Sequence, residues 1–121
     1  MRPILLLRSA VGIASLAAAA AASAQQRVVP DSAAAAYVGQ TVGVEGSVAS
    51  VHVSRSGTIF LNFGAAYPNQ TFAAVIFRSA ASRFPNPQQW EGRHVRVTGL
   101  VKLYRGRPEI VLNESSQIAS P

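Results

Sequence analysis

Two aromatic rings and a group of arginines carry most of the binding chemistry this sequence offers. Phe60 and Asn62 alternate with apolar residues in TIFLNF (58–63). Tyr104, Arg105 and Arg107 crowd into KLYRGRPE (102–109) behind Lys102, and Arg55 sits in the turn SRSG (54–57). Aromatic faces give bases a surface to stack on, and cations track phosphates; sequence-tolerant binding of a single strand needs that pairing. In the competing reading, the loop GAAYPNQ (64–70) covers Phe60 and Tyr104 only shields a hairpin. Lys102, like Arg96, also reads as a solvated surface charge.

Catalysis is harder to assemble from these residues. The five acids and several serines are scattered, with no nucleophile elbow, no metal-hydrolase spacing and no phosphate-cradling glycine loop. His52 and His94 are the imidazoles, and neither stands near a pair of carboxylates. Cysteine is absent, which excludes thiol chemistry, thiolate metal sites and disulfides. The expectation is a binding module: no enzyme, no catalytic residue, no metal and no cofactor.

Charge and targeting narrow the partner. MRPILLLRSAVGIASLAAAAAASA (1–24) places Arg2 and Arg8 ahead of an Ala/Leu/Ile run that closes on Ala22-Ser23-Ala24, the order of a cleavable secretory signal. The uncharged stretch from Ser9 to Ala24 is shorter and less apolar than the roughly 20 residues of a comfortable span. No stable membrane insertion is expected once it is removed. The remaining basic residues still outnumber the acids, which favours anionic partners. All but Lys102 are Arg, the side chain suited to bidentate phosphate contacts and to stacking, although genome composition would also produce an Arg excess. Heavy Ala and Arg usage points to a high-GC Gram-negative source, so the periplasm is expected ahead of full secretion.

The elements that must hold these residues are short strands. Gln25–Pro30 reads as a mobile leader, and SAAAAYV (32–38) as a short helix capped by Asp31 or Ser32 and stopped by Gly39. From Thr41 the period is two: Val42, Val44 and Val48 share a face, with Gly46 leaving a gap in it. Val51 and Val53 resume with the opposite parity, which marks a bulge near Ala49-Ser50. TIFLNF turns Ile59, Leu61 and Phe63 inward, and TFAAVIF (71–77) has no clean alternation, as expected of a strand covered on both sides. RSAASRFPNPQQWEG (78–92) holds a helical turn framed by Asn86, Pro87 and Gly92, whose Trp90 plugs one end of the core. RHVRVTGLVKLY (93–104) turns Val95, Val97, Val101 and Leu103 inward; RPEIVL (107–112) is the last strand, and the tail is loose past Ile118.

A two-residue loop at Arg105-Gly106 would set Tyr104 opposite Arg107, Leu103 opposite Pro108, Lys102 opposite Glu109 and Val101 opposite Ile110. Lys102 and Glu109 then form a cross-strand ion pair, and Tyr104 lies against the Arg107 guanidinium. One local objection is that Arg is uncomfortable at the positive φ such a turn demands.

Five strands, a bent first strand and one helical insertion after the third make an all-β chain with one or two short helices, laid out as a five-stranded OB-fold Greek-key barrel. VGVEGSV, TIFLNFGAAYPNQTFAAVIF and VRVTGLVKLYRGRPEIVL resemble the nucleic-acid-binding OB-fold group related to anticodon-binding domains, and a set of small exported bacterial proteins that carry it. The resemblance covers residues 37–118, after a signal at 1–24 and a leader with its helix at 25–36, and before a tail at 119–121. It implies a ligand face on the second and third strands, bordered by the loops after the first and fourth. The expected partner is single-stranded nucleic acid or another polyanion, held weakly through Arg55, Phe60, Asn62, Lys102, Tyr104, Arg105 and Arg107. The alternative is an envelope protein, peptide or anionic polymer held in the same groove. Exported thermonucleases resemble this chain in fold only, since it offers no place for their clustered acids and calcium site.

Overall fold

A computed structural model describes residues 27–121. The expected signal at 1–24 lies outside the described residues. The strands are β1 (Val28–Pro30), β2 (Thr41–Val53), β3 (Ile59–Phe63), β4 (Phe72–Ile76), β5 (His94–Tyr104), β6 (Arg107–Val111) and β7 (Ile118–Ala119).

β2 explains the closure. Its first half, Thr41–Ser47, pairs antiparallel with β5, and its second half, Val48–Val53, pairs antiparallel with β3. The register slips between Val48 and Ser50, at the expected bulge, so one strand serves two sheets and bends from one to the other. β3 pairs with β4, β4 runs parallel to β6, and β6 returns antiparallel to β5. The ring β2-β3-β4-β6-β5-β2 is closed, with the strand order of a Greek-key barrel.

Two short strands make seven among the described residues where five were expected. Val28–Pro30, expected as part of a mobile leader, form β1, parallel to the first half of β2, with Val29 buried. β7 lies antiparallel to β5 and buries Ile118. Both occupy backbone edges left open where β2 and β5 pass between sheets, a common site of stray pairing.

The interior is valine-lined. Val42, Val44, Val48, Val95, Val97 and Val101 are all buried, and Phe63 meets Phe72 edge to face at 5.1 Å. All five residues of β4 are buried, as its lack of alternation suggested. Two inward assignments fail at the rims: Leu103 is 54% and Val53 46% exposed. Val101–Ile110 is the last fully buried pair of the β5–β6 hairpin, so Leu103 stands on a ribbon that projects past the barrel.

Among the described residues the helical segments are all 3-10 turns. Asp31–Tyr37 is one, and neither Asp31 nor Ser32 caps it: Pro30 holds the cap position with no side-chain bond. The Asp31 carboxylate instead accepts from Thr71 Oγ1 at 2.5 Å and lies against Gly46, filling the gap in the valine row. The insertion holds two turns, Arg78–Arg83 and Pro87–Trp90. Asn86 enters the second in a left-handed conformation without a side-chain cap bond, and Trp90 packs partly buried against the core.

Candidate nucleic-acid interface

The outer face of β2, β3, β4 and β6 is positioned by register alone. Ser50 pairs with Asn62, Asn62 with Ala73 and Ala73 with Glu109; one step along, His52 pairs with Phe60 and Phe60 with Val75. Alternation sends each of these side chains away from the barrel. The β5–β6 hairpin and the 64–70 loop rise on either side and leave a cleft of about 370 Å³.

Phe60, Tyr67, Tyr104 and His52 supply its rings, and Arg105 and Arg107 its cations. His52 stacks on Phe60 with centroids 6.3 Å apart and planes at 27°. Tyr104 is 55% exposed, and the Arg105 guanidinium carbon lies 5.2 Å from its ring centroid. Neither Phe60 nor Tyr104 belongs to the core. The 64–70 loop shelters Phe60 without sealing it, because Tyr67 and Gln70 of that loop form the facing wall. A shallower depression continues past Tyr67 to Ser50 and Ala66.

The hairpin has the expected register in full: Tyr104–Arg107, Leu103–Pro108, Lys102–Glu109 and Val101–Ile110. Arg105 takes φ +52° and Gly106 φ +78°, the pair of positive values that a two-residue turn of this hand requires. Two side-chain contacts differ from expectation. Arg107 does not lie against Tyr104; its Nη1 donates to the Gln70 carbonyl at 3.0 Å and bridges the cleft mouth. Lys102 stands opposite Glu109 without an ion pair; among the described residues Glu45 pairs with Arg96, and its Oε1 lies 3.7 Å from His94 Nε2. Arg96, expected as a free surface charge, is thereby neutralised, with Nε 2.6 Å from Glu45 Oε2.

Of the seven expected site residues, the cleft gathers Phe60, Asn62, Tyr104, Arg105 and Arg107. Asn62 is a fixed floor and no free contact: it is 3% exposed, and its Nδ2 donates to Ser50 Oγ at 3.2 Å. Lys102 and Arg55 are exposed but lie outside the cleft lining. His52, Tyr67, Gln70 and Glu109 enter it unanticipated. His52 was readable, because a slip that turns Val51 inward must turn His52 outward. Tyr67 and Gln70 belong to an aperiodic loop and gave no signal.

Two polar groups set the electrostatics of the walls. Burial raises the Glu109 carboxyl above the ordinary glutamate range, and the nearby Lys102 charge works against that rise. Gln70 is 9% exposed, and its Oε1 is buried without a hydrogen-bond partner. The cleft therefore presents stacking rings and guanidinium donors, with the Glu109 carboxyl as the acidic group of its lining. Among the described residues no group of three or more His, Asp or Glu is placed to hold a metal ion.

Comparison with solved structures bears on the fold. The chain superposes on an aspartyl-tRNA synthetase from Leishmania major with a TM-score of 0.51 and 11% identity, over 80% of this chain and 21% of that one. An aspartyl-tRNA synthetase from Entamoeba histolytica gives 0.50 and 18%, over 70% and 19%. The asparaginyl-tRNA synthetase of the same organism gives 0.50 and 18%, over 79% and 23%. The fold is an OB-type barrel. The OB barrel seen here thus spans about a fifth of each synthetase chain, and at these identities the likeness is one of fold alone. No protein-family model matches the chain, and no curated protein matches it in sequence.

Proposed function

We propose that this OB barrel is an exported binding module that holds single-stranded nucleic acid weakly and with little sequence choice. The carrying observation is the cleft that brings Phe60 and Tyr104 together with Arg105 and Arg107 on the outer face of the barrel. Each stacked base contributes about 1–3 kcal/mol, so two rings helped by two or three cations suffice for micromolar-class affinity. The superposition on chains of tRNA-charging enzymes supports a nucleic-acid partner at a coarse level. The charge and small-residue pattern of residues 1–24 supports export, with the periplasm as the compartment.

A salt titration tests the reading. Contact with three or four phosphates predicts log K falling against log salt with a slope of roughly −2 to −3 for a single strand. Fluorescence anisotropy of a labelled oligonucleotide measures it. No binding at about 50 mM salt, where such electrostatic contacts are strong, contradicts the proposal.

A second reading takes the same cleft for an envelope peptide or anionic polymer. Its support is the aromatic rim, where Tyr67 is 72% and Tyr104 55% exposed. Recovery of a stoichiometric protein partner from a periplasmic extract, with no oligonucleotide binding, would favour it.

A further inference from the structure

The end of the β3–β4 ladder away from the β5–β6 hairpin carries a second ring and a second pair of cations. That ladder ends on the pair Ile59–Ile76, and the β2–β3 ladder on Val53–Ile59, so the 54–57 turn and the step Phe77-Arg78 stand side by side. A Cβ at Gly57 would lie 3.2 Å from Arg78 Cγ and 3.3 Å from its Cδ, so the Arg78 stem crosses the turn that holds Arg55. Both guanidinium-bearing residues are exposed.

Phe77 keeps an extended backbone, φ −72° and ψ 158°. The alternation of β4 therefore continues, and its ring falls on the face of Ala73 and Val75, the face that Asn62 and Phe60 share. It is 49% exposed. Phe60 lies opposite Val75, two residues from Phe77, which is about 7 Å of strand. That is twice the ~3.4 Å stacking rise of a nucleic-acid strand, so bases on the two rings do not collide.

The carboxylates are placed elsewhere. Glu45 is held by Arg96, Asp31 by Thr71, and Glu91 by the Val51 N–H; Glu109 lines the cleft and Glu114 caps the turn at 115–117. No ion pair among the described residues engages Arg55 or Arg78. Ser54, Ser56 and Thr58 add hydroxyls at the same turn, with Ser54 Oγ 2.9 Å from Ser56 Oγ.

We propose that Phe77, Arg78 and Arg55 form a second subsite for the same ligand, taking a further base and its phosphate, so that the surface binds an extended strand in preference to a mononucleotide. This rests on the nucleic-acid reading of the cleft. Ring, paired free cations and hydroxyls repeat at the far end the chemistry of the near one, on one continuous face.

Anisotropy of the full chain with labelled oligothymidylates of two and eight nucleotides tests it. The octamer should bind at least about fivefold more tightly than the dimer, the effect of one more stacked base. Phe77→Ala with Arg78→Gln should abolish that advantage and leave dimer affinity within twofold, whereas Phe60→Ala should weaken both lengths. Arg78→Gln alone should make the octamer salt slope shallower by about 0.7, the loss of one phosphate contact. Both positions are exposed, so the variants should keep the wild-type circular dichroism spectrum. Octamer binding that withstands both substitutions would overturn the subsite while leaving the cleft reading in place. No binding of either length by the wild-type chain would overturn both.

Discussion

Arg107 reaches across the cleft mouth and donates through Nη1 to the backbone carbonyl of Gln70, 3.0 Å away. The hairpin that carries Tyr104 is thereby tied to the loop that carries Tyr67. A charge-assisted bond of this kind, part-buried here, contributes about 1.5–3 kcal/mol.

Arg107→Ala should therefore free the loop as well as remove a cation. Amide exchange at residues 64–70 should accelerate several-fold in this variant and stay unchanged in Arg105→Ala, although both lose oligonucleotide affinity. Equal exchange rates in the two variants would show that the bond does not hold the loop.

Arg105 stands at φ +52°, where Asn is more at ease because its short polar side chain bonds locally. Arg105→Asn should stabilise the chain by roughly 1 kcal/mol and weaken binding of a labelled oligonucleotide. A thermal melt beside an anisotropy titration reads both. A variant that gains stability with no loss of affinity would remove Arg105 from the interface.

Gly46 is fixed by its neighbour. A Cβ there would lie 2.5 Å from Asp31 Oδ1, so Gly46→Ala should displace Asp31 and break its bond to Thr71, at a cost of about 1–3 kcal/mol. Asp31→Gly should recover part of that loss in the double variant. Additive losses, read in denaturant melts, would mean that the two residues do not share this contact.

Two carboxylates shape the pH dependence in opposite senses. The Arg96 hydrogen bond and charge, with smaller help from His94, hold Glu45 below its usual range. Its contribution is present above the ordinary glutamate pKa and lost as pH falls through the depressed value, and Arg96→Ala should flatten that acid limb. Glu109 is raised, chiefly by burial, so it favours the folded state below the ordinary value and loses that contribution as pH rises through its own. Glu109→Gln should therefore be more stable than wild type at pH 7 and should bind polyanions more tightly. Melts at pH 4 and pH 7 check the signs.

Much of the barrel was legible because its physics is local and periodic. The parity slip after Val48 located the bulge, and Gly106 with the matched faces of Tyr104–Arg107 through Val101–Ile110 set the hairpin register. What escaped depends on contacts distant in sequence. Val28–Pro30 looked like a leader because three residues carry no period, and only the open edge of β2 makes them a strand. Asp31 has the type of a helix cap, but Thr71 and the gap at Gly46 offered its carboxylate a better place. In the site, Phe60 and Tyr104 followed from strand parity. Asn62 faces outward as its parity required, yet the Ser50 hydroxyl engages its amide. Tyr67 and Gln70 lie in a loop whose path no pattern announces.

The most direct measurement is a two-dimensional amide titration of the isotopically labelled chain with an unlabelled oligothymidylate at low salt. Dose-dependent shifts should concentrate at His52, Phe60, Gln70 and Tyr104–Arg107 and fade as salt is raised. Shifts gathered instead around Glu45, His94 and Arg96 on the opposite sheet, or none at all, would contradict the assignment of the cleft as the binding surface.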